Sequence, residues 1–148
     1  MDIETQKKKL TKIKNVVLRH MDDKKRDKWF IDETFSTEIL NRLSDEVLEE
    51  DNFEKTYFYS ENNKFEVFFV EGTRLHHYVF TKHGEEDIEF NFYKYNKEPF
   101  LVALGSENKE GFITYKDLVL YYDRELKTKV EIKNGDYSNS FLNFVKNF

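Results

Sequence analysis

The run KFEVFFVE-GT-RLHHYVFTK, from Lys64 to Lys82, sets the architecture. Both flanks are rich in Phe, Val, Tyr and Thr, the residues that fit a pleated surface, and only Gly72-Thr73 separates them. Two strand-forming runs joined by so short a Gly-containing link read as an antiparallel hairpin. Working back toward the N-terminus, Glu61-Asn62-Asn63 is a turn signal, and Phe53 to Ser60 is a third strand. Working forward, His83-Gly84-Glu85 marks another turn. Asp87 to Tyr95 then alternates Ile88, Phe90 and Phe92 with Glu89, Asn91 and Tyr93, which predicts a fourth strand. The four make an antiparallel meander. Pro99 belongs at a strand start or an edge, because it has no N–H to give to a ladder. Phe100 to Leu104 follows as a fifth strand.

Farther on, two readings compete. Phe112 to Tyr115 and Leu118 to Tyr122 are strand candidates, the second pairing through a turn with Lys129 to Lys133. Alternatively, Leu118, Tyr122 and Leu126 fall at i, i+4 and i+8, the spacing of a helix over Tyr115 to Leu126. After Asn134-Gly135-Asp136, Phe141, Leu142, Phe144, Val145 and Phe148 predict a short terminal helix, with Ser138 or Ser140 as its cap.

Upstream of the strands the period is helical. Leu10, Ile13, Val17 and Met21, with Val16 beside them, make one stripe on a helix from Ile3 to about Met21. Its other face carries Lys7, Lys8, Lys9, Lys12 and Lys14. Asp22 to Lys28 has no stripe and reads as a polar connector. A second helix opens near Thr34 or Ser36 and buries Ile39, Leu40, Leu43, Val47 and Leu48. The expected fold is therefore α+β: two N-terminal helices packed on an antiparallel meander, with a short C-terminal helix. At 148 residues the chain fits a single domain, 1–148.

Composition narrows the chemistry. Charged residues make up 36% of the chain, yet 15 Phe and 9 Tyr supply the buried surface that disordered chains lack. With no Cys, disulfides, thiolate metal sites and cysteine nucleophiles are excluded together. No apolar run approaches the roughly 20 residues of a membrane span, and the N-terminus lacks a secretory h-region, so a cytoplasmic protein is expected. Charge is unevenly spread. Residues 1–28 hold 10 of the 24 Lys and Arg but 5 of the 29 Asp and Glu, and between Asp32 and Glu54 Arg42 is the one base among 9 acids.

Motifs for catalysis are weak. His76 and His77 are neighbours on a strand and so face opposite sides, which no shared metal ion can use. His20 and His83 have no ligand at a chelating spacing, so all four histidines read as structural or surface groups and no cofactor is implied. Asp87 and Glu89 share a strand face, which is more often solvated than catalytic. A metal-dependent nuclease of the Asp…Glu-x-Lys type would need Asp117 or Asp123 to converge with Glu131 and Lys133. The same Glu-x-Lys tripeptide recurs at Glu107 and Glu125, as a chain rich in both residues produces by chance. Phosphate-binding and nucleophile-elbow signatures are absent. The aromatic strands could stack bases, but the sheet is acidic and repels phosphate, so no direct nucleic-acid binding is expected.

Three segments of the last third, Pro99 to Ser106, Leu120 to Glu125 (LYYDRE) and Tyr137 to Val145 (YSNSFLNFV), resemble the ending of the SUKH superfamily of bacterial toxin-immunity proteins. There a core strand, a Tyr-Tyr-Asp-containing strand and a closing Ser-Phe helix follow in that order. The similar region is about residues 98–148, and the Leu-Pro helix end and Gly-Gly turn that open the family are missing. The resemblance implies a non-enzymatic inhibitor of a cognate toxin, and it carries no functional residue across.

Charge and resemblance together point to a protein-binding inhibitor, an immunity protein whose acidic surface meets a basic toxin or nuclease domain. The expected contact residues are Asp45, Glu46, Glu49, Glu50 and Asp51, with Glu85, Glu86 and Asp87 as a second patch. A phage-encoded inhibitor of a host defence nuclease would use the same surface. A metal-dependent nuclease and an aromatic-lined ligand-binding domain are the remaining alternatives.

Overall fold

A computed structural model describes residues 2–18, 20–30, 33–84, 87–135 and 138–148. Helix α1 runs Ile3–Val17, opened by Asp2, whose carboxylate accepts the Thr5 N–H at 2.7 Å. Glu4 in its first turn and Lys14 in its last suit the helix dipole. Ile13, Val16 and Val17 are buried, which is the face that the spacing predicts.

The polar connector is a helix instead. α2 spans Asp23–Phe30, and the Asp22 carboxylate accepts the Lys25 N–H at 2.9 Å at its start. Its apolar content is confined to Trp29 and Phe30, both buried at its C-terminal end. Two residues make no stripe, so periodicity misses the element. α3 runs Glu33–Arg42, placing Thr34 and Ser36 inside the helix rather than at its cap. It stops well short of Leu48. Val47 and Leu48 are buried, but on a 3-10 turn, Asp45–Leu48, followed by a second 3-10 turn, Glu50–Lys55. Among its described residues the N-terminal half thus packs three helices and two 3-10 turns where two helices are expected.

Among the described residues seven strands follow: β1 Thr56–Glu61, β2 Lys64–Glu71, β3 Arg74–Lys82, β4 Ile88–Tyr95, β5 Leu101–Lys109, β6 Phe112–Tyr121 and β7 Lys129–Lys133. Helix α4, Ser138–Val145, closes the chain. β1 to β4 form the expected antiparallel meander, tightened by Asn62 and Gly72 at positive φ in its first two turns. Phe53 to Lys55 belong to the 3-10 turn, so β1 starts later than the sequence indicates.

The fifth strand does not extend this sheet. β5 opens a separate three-stranded antiparallel sheet in the order β5-β6-β7. The two candidate strands of residues 112–122 are one strand, and its pairing with β5 on one side and β7 on the other settles the 115–126 question against a helix.

The first sheet is the central layer. Phe58, Phe65, Val67, Phe69, Tyr78 and Phe80 face the helices and enclose Trp29, Phe35 and Ile39. On the opposite face Tyr57, Phe68, Val70 and Leu75 pack with Leu118, Leu120, Val130 and Ile132 of the second sheet and with Phe141 and Phe144 of α4. Two side chains fasten these layers. The Tyr57 hydroxyl donates to the Lys133 carbonyl and accepts the Gly135 N–H, both at 2.8 Å. Buried His20, in the turn after α1, is hydrogen-bonded through Nδ1 to Ser140 Oγ of α4.

Candidate functional site

Residues 45–51 and Asp87 sit at opposite ends of the first sheet. Residues 45–51 precede the Thr56 end of β1, where Thr56 pairs with Phe69. Asp87 lies at the other end, beside the Lys82–Ile88 pair. Buried Val47 and Leu48 pin the first segment to the core and leave Glu46, Glu49 and Asp51 exposed. Lys12 of α1 reaches Glu49 at 3.4 Å, so the basic helix face borders the acidic turns. An ion pair this exposed is worth well under about 1 kcal/mol and can exchange partners. The side chains of Asp45 and Glu50, and residues Glu85 and Glu86 altogether, lie outside the described parts of the structure. Asp87 is exposed.

The nuclease residues are not brought to one point. Register sets Asp117 opposite Lys133. The Asp117 carboxylate, however, lies over Gly105 on the neighbouring strand, and Lys133 Nζ reaches Glu61 at 3.1 Å. That contact holds the Glu61 carboxyl below the usual range and the Lys133 amine above its own. Asp123 caps the following turn, accepting the N–H groups of Lys127 and Thr128 at 2.8 and 3.1 Å. Among the described residues no group of three or more His, Asp or Glu side chains is placed to hold a metal ion.

One polar arrangement escapes the sequence reading. The second sheet covers only part of the face that carries Tyr57 and Phe68, and beyond it opens a groove of about 550 Å³. On its floor His77 Nε2 lies 3.0 Å from Glu66 Oε1, and the imidazole stacks on Phe68 at 4.3 Å between ring centres. Lys64, Tyr93 and Glu131 line the walls. Stacking and the carboxylate fix the ring, a geometry suited to donating or accepting one hydrogen bond. The signal was available: the Gly72-Thr73 turn sets the register, and that register puts Glu66 and His77 diagonally on one face.

Apolar exposure concentrates elsewhere, on β5 and the β5–β6 hairpin. Phe100 is 58% exposed, Phe112 75% and Ile113 68%. Leu101, Val102 and Leu104 are also exposed. Single exposed apolar residues are ordinary, whereas a contiguous strip marks a contact surface.

No protein-family model, curated protein or solved structure matches the chain. Among the described residues no helix is long and apolar enough to cross a membrane.

Proposed function

We propose that this protein is a non-catalytic, protein-binding inhibitor, of the kind that neutralises a bacterial toxin, and that it meets a basic partner through the acidic turns of residues 45–51. The single observation in support is the way Val47 and Leu48 anchor those turns while Glu46, Glu49 and Asp51 stay in solvent. A charged surface held rigid spends little entropy on docking, and its field steers a cationic partner into register. The resemblance of residues 98–148 to toxin-immunity proteins points the same way.

The test begins with the intact chain as bait in lysate of its source organism, the captured protein being eluted with salt and purified. Its association rate is then followed against ionic strength and against Glu46→Lys, Glu49→Lys and Asp51→Lys together. The expected result is an association that slows with salt and slows further in the triple variant. A rate indifferent to both, or no captured partner under mild conditions, overturns the reading.

A further inference from the structure

β5 is an edge strand: among the described residues it pairs with β6 alone. Soluble proteins blunt such edges with charges, prolines or bulges, because an open row of N–H and C=O groups accepts another strand. Here Phe100-Leu101-Val102-Ala103-Leu104-Gly105-Ser106 contains none of the charges or prolines that would do so, and the one irregularity falls after Gly105. The exposed residues Leu101, Val102 and Leu104 all lie ahead of it.

We propose that β5 pairs antiparallel with β5 of a second copy of this chain, about a two-fold axis at Val102, to form one six-stranded sheet. What selects a second copy is that the strip is complementary to itself. With Val102 facing the partner's Val102, Leu101 meets the partner's Ala103 and Phe100 meets the partner's Leu104.

Neighbouring registers are worse. An axis at Ala103 sets Phe100 against the partner's Ser106 and Leu101 against its Gly105. An axis at Leu101 leaves Leu104 with no residue of the partner's β5 opposite it. Both lose apolar cross-strand pairs, the contacts that stabilise a ladder. Two-fold pairing also closes the structure, since each copy uses the same surface and no edge of β5 is left to recruit a third.

The second sheet supplies the rest of the fit. Val102 and Leu104 pair with Leu120 and Leu118, so they share the inward side of that sheet yet lie at its uncovered margin. Beside Val102 a cleft of about 250 Å³ opens between Val70, Pro99 and Phe148. Side chains of the partner's β5 would cover it. This interface is distinct from the acidic turns, so the inhibitor reading and the dimer stand or fall separately.

The chain has no native cysteine, which makes the register directly testable. In the full chain, oxidised Val102→Cys should cross-link efficiently to a covalent dimer, because antiparallel partners lie at disulfide-forming distance. Leu101→Cys should cross-link poorly. By sedimentation equilibrium the unmodified protein should be a dimer, and Leu101→Lys should lose that dimer. Adding Ala103→Glu to Leu101→Lys should restore it, since the two new charges meet twice across the axis. Circular dichroism verifies that each variant is folded. A monomer at every concentration overturns the proposal. So does a dimer indifferent to Leu101→Lys, or a charge pair that fails to rescue.

Discussion

The carboxylate of Asp117 stands over Gly105, its partner across the β5–β6 ladder, in the space that any side chain at position 105 would need. Asp117 Cγ lies 3.1 Å from where that Cβ would be, and its nearer oxygen would clash outright. A side chain there would have to displace the Asp117 carboxylate, and the ladder shifts register directly after Gly105.

Gly105→Ala should therefore cost about 0.5–1.5 kcal/mol, as forcing the Asp117 side chain off its rotamer does. Asp117→Ala in the same chain should recover most of the loss, because it empties the contested space. A double-mutant cycle from urea unfolding reads the coupling. Additive losses would mean that the clash is relieved elsewhere.

Tyr57 is buried, and its hydroxyl is the hydrogen-bonding partner of Lys133 and Gly135 on the far side of the second core. Tyr57→Phe keeps the ring against Phe141 and Phe144 but leaves one carbonyl and one N–H without that partner. The expected cost is about 1–3 kcal/mol. Amide exchange at Gly135 should accelerate, and an unchanged rate would show that water replaces the phenol.

Trp29 fastens α2 to the rest of the protein. It is fully buried among Phe35 and Phe65, with ring centres 4.6 and 5.7 Å away, and its indole N–H donates to Ser60. Trp29→Ala should cost about 3–5 kcal/mol by the cavity it opens. Lys24→Ala, on the exposed part of the same helix, should cost almost nothing. Comparable losses would show that helix propensity, and not this anchor, holds α2.

Acid and alkali should each destabilise the fold through an identifiable group. Burial lowers the affinity of His76 for its proton, outweighing the attraction of Glu71 and Glu46, while Lys94 and Arg74 add to the lowering. Unfolded, the imidazole takes a proton near pH 6.5; folded, it resists until lower pH. Between those values the unfolded chain binds more protons, so stability present above pH 6.5 is lost as pH falls. His76→Gln should flatten that loss. Tyr122 is the converse case. Burial, with Tyr95 stacked 4.4 Å away, raises its pKa, so stability present below pH 10 is lost as pH rises above it. Tyr122→Phe should flatten the alkaline limb. Denaturant midpoints across the pH range test both, and unchanged slopes would reject the assignments.

The fold is most legible in the sequence where turn chemistry and alternation agree. β2 and β3 have the boundaries that Asn62-Asn63 and Gly72-Thr73 imply, because both signals are local. Legibility fails where tertiary packing overrides local pattern. α2 is six charged residues leading to two aromatics, and its helix exists because those two enter the core. Phe53-Glu54-Lys55 looks like the start of a strand but continues a 3-10 turn into Thr56. The long β6 was obscured by Lys116-Asp117, a polar break on a face that turns outward. That β5 starts a new sheet could not be read at all, since nothing local distinguishes a fifth meander strand from the first strand of a second sheet. The acidic turns were legible as charge, whereas the Glu66–His77 pair and the bare β5 edge emerge only from register and layer geometry.

The hydrogen bond between His20 and Ser140 links positions 120 residues apart. During synthesis, then, the turn that ends the first helix waits for 120 further residues before its partner exists. The meander can form while the ribosome is still at work, since its pairings are between neighbours. The second core cannot, because it needs α4, which follows the strands in sequence. A chain cut before α4 would keep its strands and leave a large apolar face uncovered, a natural substrate for chaperones and proteases.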